Sequence, residues 1–390
     1  MFKIIRRVHA YAPKDVGIVD ILVVGTAIAK LAPRIDLPPE FGAEEYDCTG
    51  LLAIPGLIDG HVHICGGGGE GGPVTRTPEI MLSEITTAGI TTVVGLLGTD
   101  AVTRSMAGLL AKANGLQAEG ISTFIYSGAY QLPARTLLEN LRQDLTLVDK
   151  VVGAGEIAIS DHRSAQPQVE DLAKLAAEAR VGGMLGGKAG ILHLHLGEGK
   201  RGLTPINQVL EVSEIPITQF LPTHVNRTTK LFQQSLEFLA KGGNIDLTAG
   251  GEDLNEGILV SDALALIKAK GLPLDRVTVT SDGNGSLPLF DAEGKLTGLA
   301  KGSVQVLWHD LRQTVQNHKL SLAEVLPLAT TNTARILQLP SKGNLASGYD
   351  ADITILDADL HVNKVFARGR LMVDNGRAVV WGAFEPKDQA

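Results

Sequence analysis

Residues 57–70 read LIDGHVHICGGGGE, a stretch whose two halves differ in character. The first half alternates apolar and polar side chains as a half-buried strand does, and residues two apart on a strand share a face. Asp59, His61 and His63 therefore point the same way. Their imidazoles stand about 7 Å apart along the strand, close enough to converge on one metal ion. The second half is four glycines and an acid, a backbone able to approach a ligand closely. Histidines hydrogen-bonded within a core account for His-x-His equally well, so the rest of the chain must give the stretch its meaning.

Beyond residue 57 the texture is one of apolar strands alternating with amphipathic stretches. Strands are expected at 57–64, 91–97, 121–127, 157–160, 191–196, 220–225, 244–248 and 276–281. Between them, 79–88, 171–179, 231–240 and 261–269 carry apolar residues at three- and four-residue spacing, the helical period. Gly89, Gly242 and Gly271 follow such stretches as helix C-terminal caps do. Strand–helix units in series read as an α/β fold, a (β/α)₈ TIM-like barrel, with an open doubly wound sheet as the structural rival. The barrel is preferred because polar, reactive residues recur at strand ends and would share one rim. After a last helix expected at 321–339, strand and turn texture returns. Residues 1–52 and 340–390 read together as a small β-sandwich domain built from both chain ends, leaving 53–339 for the barrel.

Composition narrows the function classes. The chain has 390 residues, 44% hydrophobic and 20% charged, in the range of ordinary globular proteins with a sizeable core. A net charge of −8 argues against a general nucleic-acid binder, and no basic run suits an anionic membrane surface. No run approaches the roughly 18 apolar residues that would cross a bilayer. Cys48 and Cys65 are the only cysteines, which leaves no disulfide framework and no cysteine-based zinc site. The opening MFKIIRRVHAYAPKD lacks the apolar core of a signal peptide, so a cytoplasmic protein is expected.

The strand ends deliver a set of donors. The fourth strand is entered through Gly153-Ala154-Gly155-Glu156 and leaves as Ser160-Asp161-His162-Arg163. The fifth carries His193-Leu194-His195, the sixth ends Thr223-His224-Val225-Asn226-Arg227, and the eighth ends Ser281-Asp282-Gly283. Singly, each has an ordinary explanation as a rim hydrogen bond, a turn residue or a solvated charge. Together, four histidines and two carboxylates form a nitrogen–oxygen set suited to a pair of metal ions. Such pairs lie about 3.5–4 Å apart.

On PGLIDGHVH at 55–63, the single histidines of the fifth and sixth strands, SDG at 281–283 and KGNLASGYDADITIL at 342–356, the chain resembles the amidohydrolase superfamily. Within it, the chain is similar to bacterial isoaspartyl (β-aspartyl) dipeptidases. The narrower likeness is carried by GGGGEGGP at 66–73, TRTPE at 75–79, VVGLLGTD at 93–100, SGAY at 127–130, ISDHRSA at 159–165, PTHVNR at 222–227 and SDGNGS at 281–286. The resemblance implies two divalent metals, zinc suiting the donors best. His61 and His63 would hold one with Asp282, and His195 and His224 the other. His193 matches no ligand and is read as a core residue or a support to the ligands. Family members of this kind bridge the metals with a carbamylated lysine, whereas Glu156 stands here. A glutamate supplies the same charge and donor atoms on a shorter side chain, so the backbone must come closer, and a glycine bulge at Gly155 would bring it. A weakened site with one metal is the alternative.

The resemblance further implies a hydroxide held between the metals that attacks an isopeptide carbonyl. Tyr130 would donate to the oxyanion, and Asp282 would move the proton from water to leaving amine. Glu70 suits a substrate ammonium, and Arg163, Arg227 and Ser286 a carboxylate. Gly68 and Thr99 could hold a second carboxylate. By these groups the substrate is a small zwitterionic amide; that it is a β-aspartyl dipeptide such as β-Asp-Leu comes from the family, as does the expectation of a homo-oligomer. The rival readings are a dihydroorotase- or hydantoinase-like enzyme opening a cyclic amide, and a non-catalytic scaffold. Glu70 and the arginine pair disfavour the first, because a cyclic imide has no ammonium. The full set of ligand positions disfavours the second.

Overall fold

The computed structural model describes residues 2–250, 257–290 and 296–386. Alternating residues near the start form β1 (Phe2–Tyr11) and β2 (Asp15–Val24), followed by β3 (Ala27–Ala32), β4 (Glu44–Asp47) and β5 (Leu52–Pro55). One residue, Gly56, separates β5 from the next strand, β6 (Leu57–Val62). A Cβ at Gly56 would lie 2.3 Å from Thr91 Oγ1, so the chain turns there against the neighbouring strand with no room for a side chain.

Seven further strands run parallel beside β6: β7 (Ile90–Gly95), β8 (Ser122–Ser127), β9 (Val151–Ile159), β10 (Ile191–Leu196), β11 (Phe220–Thr223), β12 (Ile245–Thr248) and β13 (Val277–Thr280). Eight helices follow them in turn: α1 (Leu82–Thr87), α2 (Met106–Glu119), α3 (Leu141–Leu147), α4 (Val169–Gly186), α5 (Thr204–Val212), α6 (Thr229–Ala240), α7 (Val260–Ala269) and α8 (Val306–Gln316). A hairpin, β14 (Ser286–Phe290) with β15 (Leu296–Lys301), stands between β13 and α8. The helix α6 illustrates the local logic. The Thr228 side chain caps its start, and Leu231, Phe232, Leu236 and Leu239 bury its inner face. Gly242, at φ 91°, lets the chain leave it.

Backbone ladders join β6 through β11 and, separately, β12 to β13, which leaves two seams to close the barrel. At one, Val225 N donates to Asp246 O at 3.4 Å. The buried Asp246 carboxylate also accepts from the hydroxyls of Thr223, Thr278 and Thr280 at 2.5–2.7 Å, tying β11, β12 and β13 together. At the other seam His63 N donates to Gly283 O at 2.9 Å, and Asp59 accepts from the backbone and hydroxyl of Ser281. A TIM-like barrel results, as the strand–helix alternation implied.

The chain returns through β16 (Ile353–Leu356), β17 (Val362–Ala367), β18 (Arg370–Asp374) and β19 (Arg377–Ala378). These join β1–β5 in one nine-stranded sheet, with β16 pairing antiparallel to β5. Val19, Ile21, Ile28, Ile353, Ile355 and Phe366 share an apolar cluster within it, so both chain ends serve one core.

Two expectations change. The helix expected at 321–339 is broken into Leu322–Val325, a 3₁₀ turn at Leu326–Ala329, and Thr331–Ile336. Pro327 has no N–H to donate, and the Thr330 hydroxyl bonds back to Leu326 O, which together end the α-helical ladder. The fourth strand begins at Val151 rather than 157, so Glu156 lies inside it and not ahead of it. Its register against β10 slips by one residue between Ala154 and Ile157, a bulge formed by Gly155 and Glu156. A Cβ on Gly155 would fall 2.9 Å from His193 Cβ, which is why glycine stands there. Gly155→Ala should lower the unfolding free energy by about 1–3 kcal/mol, the range for overpacking a core, measured by thermal or urea denaturation. An unchanged midpoint would mean that the bulge relaxes freely.

Candidate metal centre and active site

The bulge turns the Glu156 side chain into the barrel mouth, where it is 1% exposed. His195 Nδ1 is 3.1 Å from its Oε2, His61 Nε2 and His224 Nε2 are each 3.6 Å from the same oxygen, and His63 Nε2 is 3.5 Å from Oε1. Asp282 closes the group, with Oδ1 3.1 Å from His63 Nε2 and 3.3 Å from His61 Nε2. The six residues named from strand ends thus come together in one cluster. His224 and Asp282 lie just past their strands at φ 59° and 52°. That left-handed conformation is uncommon for residues with a Cβ and turns both side chains back over the mouth.

Supporting hydrogen bonds decide which nitrogen each ring presents. His193, buried behind the site, has Nδ1 3.1 Å from Leu221 O and so donates there, leaving Nε2 to accept from His61 Nδ1 at 2.8 Å. His61 Nε2 then carries its lone pair toward Glu156 and Asp282. His224 Nδ1 lies 2.7 Å from Thr248 Oγ1, which likewise frees Nε2 to face Glu156. Among the described residues, His61 Nε2 and His224 Nε2 are buried without a hydrogen-bond partner.

Burial lowers the His61 imidazole, but Glu156 and then Asp282 raise it well above its ordinary value, so without a metal it holds a proton that a bound ion would displace. Burial pushes the Glu156 carboxyl upward, but His61 with His195 and His224 holds it well below the usual carboxylate range. Asp282 is held low against burial by His61 and His63. Burial and then Arg227 bring His224 down to about 3, a neutral imidazole. Neutral nitrogens and ionised carboxylates are the donor forms a divalent ion takes. Three sets of ligand atoms lie close enough to share an ion: His61, His63 and Glu156; Glu156, His195 and His224; and His61, His224 and Asp282. The residues present fit a divalent metal, and Glu156 belongs to two of the three sets.

A cleft of about 490 Å³ opens over this group. Tyr130 lines it, its hydroxyl 2.8 Å from His195 Nδ1. Gly68, Glu70, Thr99, Arg163, Arg227 and Ser286 line it as well, so every predicted binding residue reaches the same space. Glu70 Oε1 accepts from the Thr99 hydroxyl at 2.7 Å and lies 3.4 Å from Arg163 Nη1. Arg227 Nη1 donates to Leu196 O at 2.9 Å and stands 3.2 Å from His195 Nε2.

Sequence reasoning missed two residues. Arg104, buried beneath the glycine loop, donates to the carbonyls of Cys65, Gly67 and Thr77 at 2.9–3.1 Å and holds the loop that carries Glu70. No local pattern announces such a strut. Asp161 lies against both His195 and Arg163. Its motif, ISDHRSA, was in view, but contacts across strands give it a role.

A barrel rim bearing a cluster of histidines and carboxylates beside a polar cleft defines a metal-binding hydrolase site. The amidohydrolase family model matches residues 223–373. A β-aspartyl dipeptidase from Fervidobacterium islandicum AW-1, solved in complex with β-Asp-Leu, is 45% identical over 97% of this chain and 98% of that one, with a TM-score of 0.89. The chain belongs to the amidohydrolase family. Several curated relatives match over short stretches, and a dihydroorotase of Streptococcus pneumoniae matches at 26% identity over 89% of this chain. An N-acetylglucosamine-6-phosphate deacetylase of Lysinibacillus sphaericus is 30% identical over 117 residues, 30% of this chain, and the match spans only 29% of that protein's length. A dihydropyrimidinase from Brevibacillus agri NCHU1002, 18% identical over 98% of this chain and 97% of that one at a TM-score of 0.72, shares the fold.

Chelation should destabilise the protein, because an ion that binds only the folded state adds stability by mass action. At free ion a hundredfold above its dissociation constant the gain is about 2.7 kcal/mol. The melting temperature should fall with a chelator and recover with added divalent ion. A melting temperature indifferent to both would argue against a metal centre here.

Proposed function

We propose that this chain hydrolyses β-aspartyl dipeptides, breaking the amide between the side-chain carboxyl of an amino-terminal aspartate and the amine of a second residue. The observation that carries the reading is the 45% identity, across nearly the whole chain, to a β-aspartyl dipeptidase solved with β-Asp-Leu. The charge pattern of the cleft supports it. Glu70 suits the aspartyl ammonium, Gly68 and Thr99 its free carboxylate, and Arg163, Arg227 and Ser286 the carboxylate of the departing residue.

Two divalent ions, zinc by the mix of imidazole and carboxylate donors, would be held by His61, His63 and Asp282 and by His195 and His224, with Glu156 shared between them. When bound, such ions acidify water toward neutral pH and polarise a carbonyl. The chain's own residues do the rest. Asp282 accepts a proton from the attacking water and returns it to the leaving amine. Burial, reinforced by Glu156, raises the Tyr130 hydroxyl well above its ordinary value, so it stays protonated and donates to the oxyanion. Glu70 and the arginines fix the two ends of the substrate so that the amide between them is presented to these groups.

We further read residues 53–339 as the catalytic barrel and 1–52 with 340–390 as a small domain whose sheet folds over as a sandwich. The shared apolar cluster of the terminal strands supports that division. A cytoplasmic homo-oligomer is the accompanying reading. It draws on the resemblance and on two cysteines that form no disulfide.

The deciding assay sets β-Asp-Leu against dihydroorotate and hydantoin, with metal analysis of the same preparation. Hydrolysis of β-Asp-Leu alone, with two equivalents of metal per chain, is expected. Opening of either ring with β-Asp-Leu untouched would transfer the reading to a cyclic amidase, and one equivalent at full activity would remove Glu156 as a bridge. Tyr130→Phe should reduce kcat by about 10²–10³-fold with metal content unchanged; undiminished turnover would take Tyr130 out of the mechanism.

A further inference from the structure

We propose that Asp161 is a positioning residue that couples the metal centre to the substrate-carboxylate anchor. One of its oxygens, Oδ2, lies 3.1 Å from His195 Nε2 and 2.8 Å from Arg163 Nη2. The other, Oδ1, accepts from Arg163 Nε at 3.0 Å and from Arg163 N at 2.7 Å. Its side chain is 4% exposed, so these partners and not water satisfy it. A single carboxylate therefore braces one ring of the histidine cluster and both ends of the arginine that faces the substrate.

The consequence for His195 is a choice of tautomer. Its Nε2 faces Asp161 Oδ2, with Arg227 Nη1 at 3.2 Å and Arg163 Nη2 at 3.4 Å. Each nitrogen faces a carboxylate oxygen at 3.1 Å, but Nδ1 also has the Tyr130 hydroxyl at 2.8 Å as a donor, whereas at Nε2 both guanidinium groups have other acceptors, Leu196 O and Asp161 itself. The hydrogen belongs on Nε2, donated to Asp161. The lone pair then falls on Nδ1, which faces Glu156 Oε2 at 3.1 Å. Carboxylates that accept from the far nitrogen of a metal-binding histidine fix its tautomer and raise its basicity.

The neighbouring backbone is shaped to this contact. Gly197, two residues beyond His195, has no room for a side chain: a Cβ there would lie 2.5 Å from both Asp161 Cβ and Oδ2. Ser160, at φ 52°, turns the chain at the end of β9 immediately before Asp161. Two strands are thus arranged so that the carboxylate reaches across from one to the histidine of the other. Arg163 is held at the same time, so the length of the substrate is measured from a point tied to the metal ligand.

The Arg163 half of the inference builds on the proposed dipeptide substrate, and the His195 half does not. Asp161→Asn keeps the shape but turns an amide N–H₂ toward one of two donors. Chelator-competition titration should find zinc bound about 10–100-fold more weakly by the variant. Its KM for β-Asp-Leu should rise, and its preference for β-Asp-Leu over β-Asp-leucinamide, which lacks the terminal carboxylate, should shrink. Gly197→Ala, which presses on Oδ2 without altering Asp161, should move zinc affinity in the same direction. In the zinc-reconstituted wild-type protein, ¹⁵N shifts of His195 should report the hydrogen on Nε2. This measurement needs no variant to fold. A hydrogen on Nδ1, or zinc affinity unchanged in both variants, overturns the proposal. Failure of the wild-type enzyme to cleave β-Asp-Leu, with the zinc and ¹⁵N results as expected, would instead refute the substrate reading and leave Asp161 as a support of the metal centre alone.

Discussion

A carboxylate that is ionised and nearly sealed from water must be answered by positive or metal charge, because an unanswered buried ion costs several kcal/mol. Glu156 imposes that requirement here. It draws His61, His63, His195 and His224 from three strands to within 3.1–3.6 Å, each with a nitrogen facing one of its oxygens. The surrounding backbone gives way to it. Gly155 lets β9 bulge against His193, and a Cβ at Gly98 would fall 2.7 Å from His63 Cε1. The barrel's upper layer is organised around that one side chain.

The same economy of polar groups closes the barrel below. Strand ladders are missing at two seams, and at each a buried aspartate accepts a hydroxyl across the gap: Asp246 of β12 from Thr223 of β11, and Asp59 from Ser281. Asp59 shares its strand and face with His61 and His63, so the seam bond also fixes the strand that carries the first pair of rings. His193, one layer down, hands a hydrogen-bond acceptor to His61. At that second seam fold and site are not separable: Asp59, which helps shut the barrel, lies on the strand that carries His61 and leads into His63.

The barrel is common to enzymes of diverse chemistry, and the likeness to the Brevibacillus agri dihydropyrimidinase at 18% identity conveys architecture alone. What distinguishes this chain lies above the cluster of histidines and carboxylates. There Glu70 and Thr99 stand beside Arg163 and Arg227, opposite charges within one cleft, the arrangement on which the proposed dipeptide substrate draws. The glycine loop that presents Glu70 depends on Arg104, whose planar guanidinium fork satisfies three loop carbonyls where a lysine's point charge could not reproduce the geometry.

Much of this was legible in the sequence because it is encoded locally. Period-two alternation at 57–62 and the helical period at 231–240 follow from which residues face the core, and each strand's ligands could be read from its own end. The broken helix at 321–339 was misread because the effect of Pro327 is reinforced by a side-chain bond from Thr330, which periodicity does not register. The sequence alone determined the strand–helix alternation and the identity of the donors at the strand ends, both properties of residue type and spacing; that Glu156 stands where relatives have lysine is what the family resemblance implies. Tertiary structure decided which donors face one another: that His193 supports His61, that Asp161 reaches His195, and that Glu156 lies inside its strand and not ahead of it. Those outcomes depend on register between strands distant in sequence, and a one-residue slip in register redirects a side chain entirely.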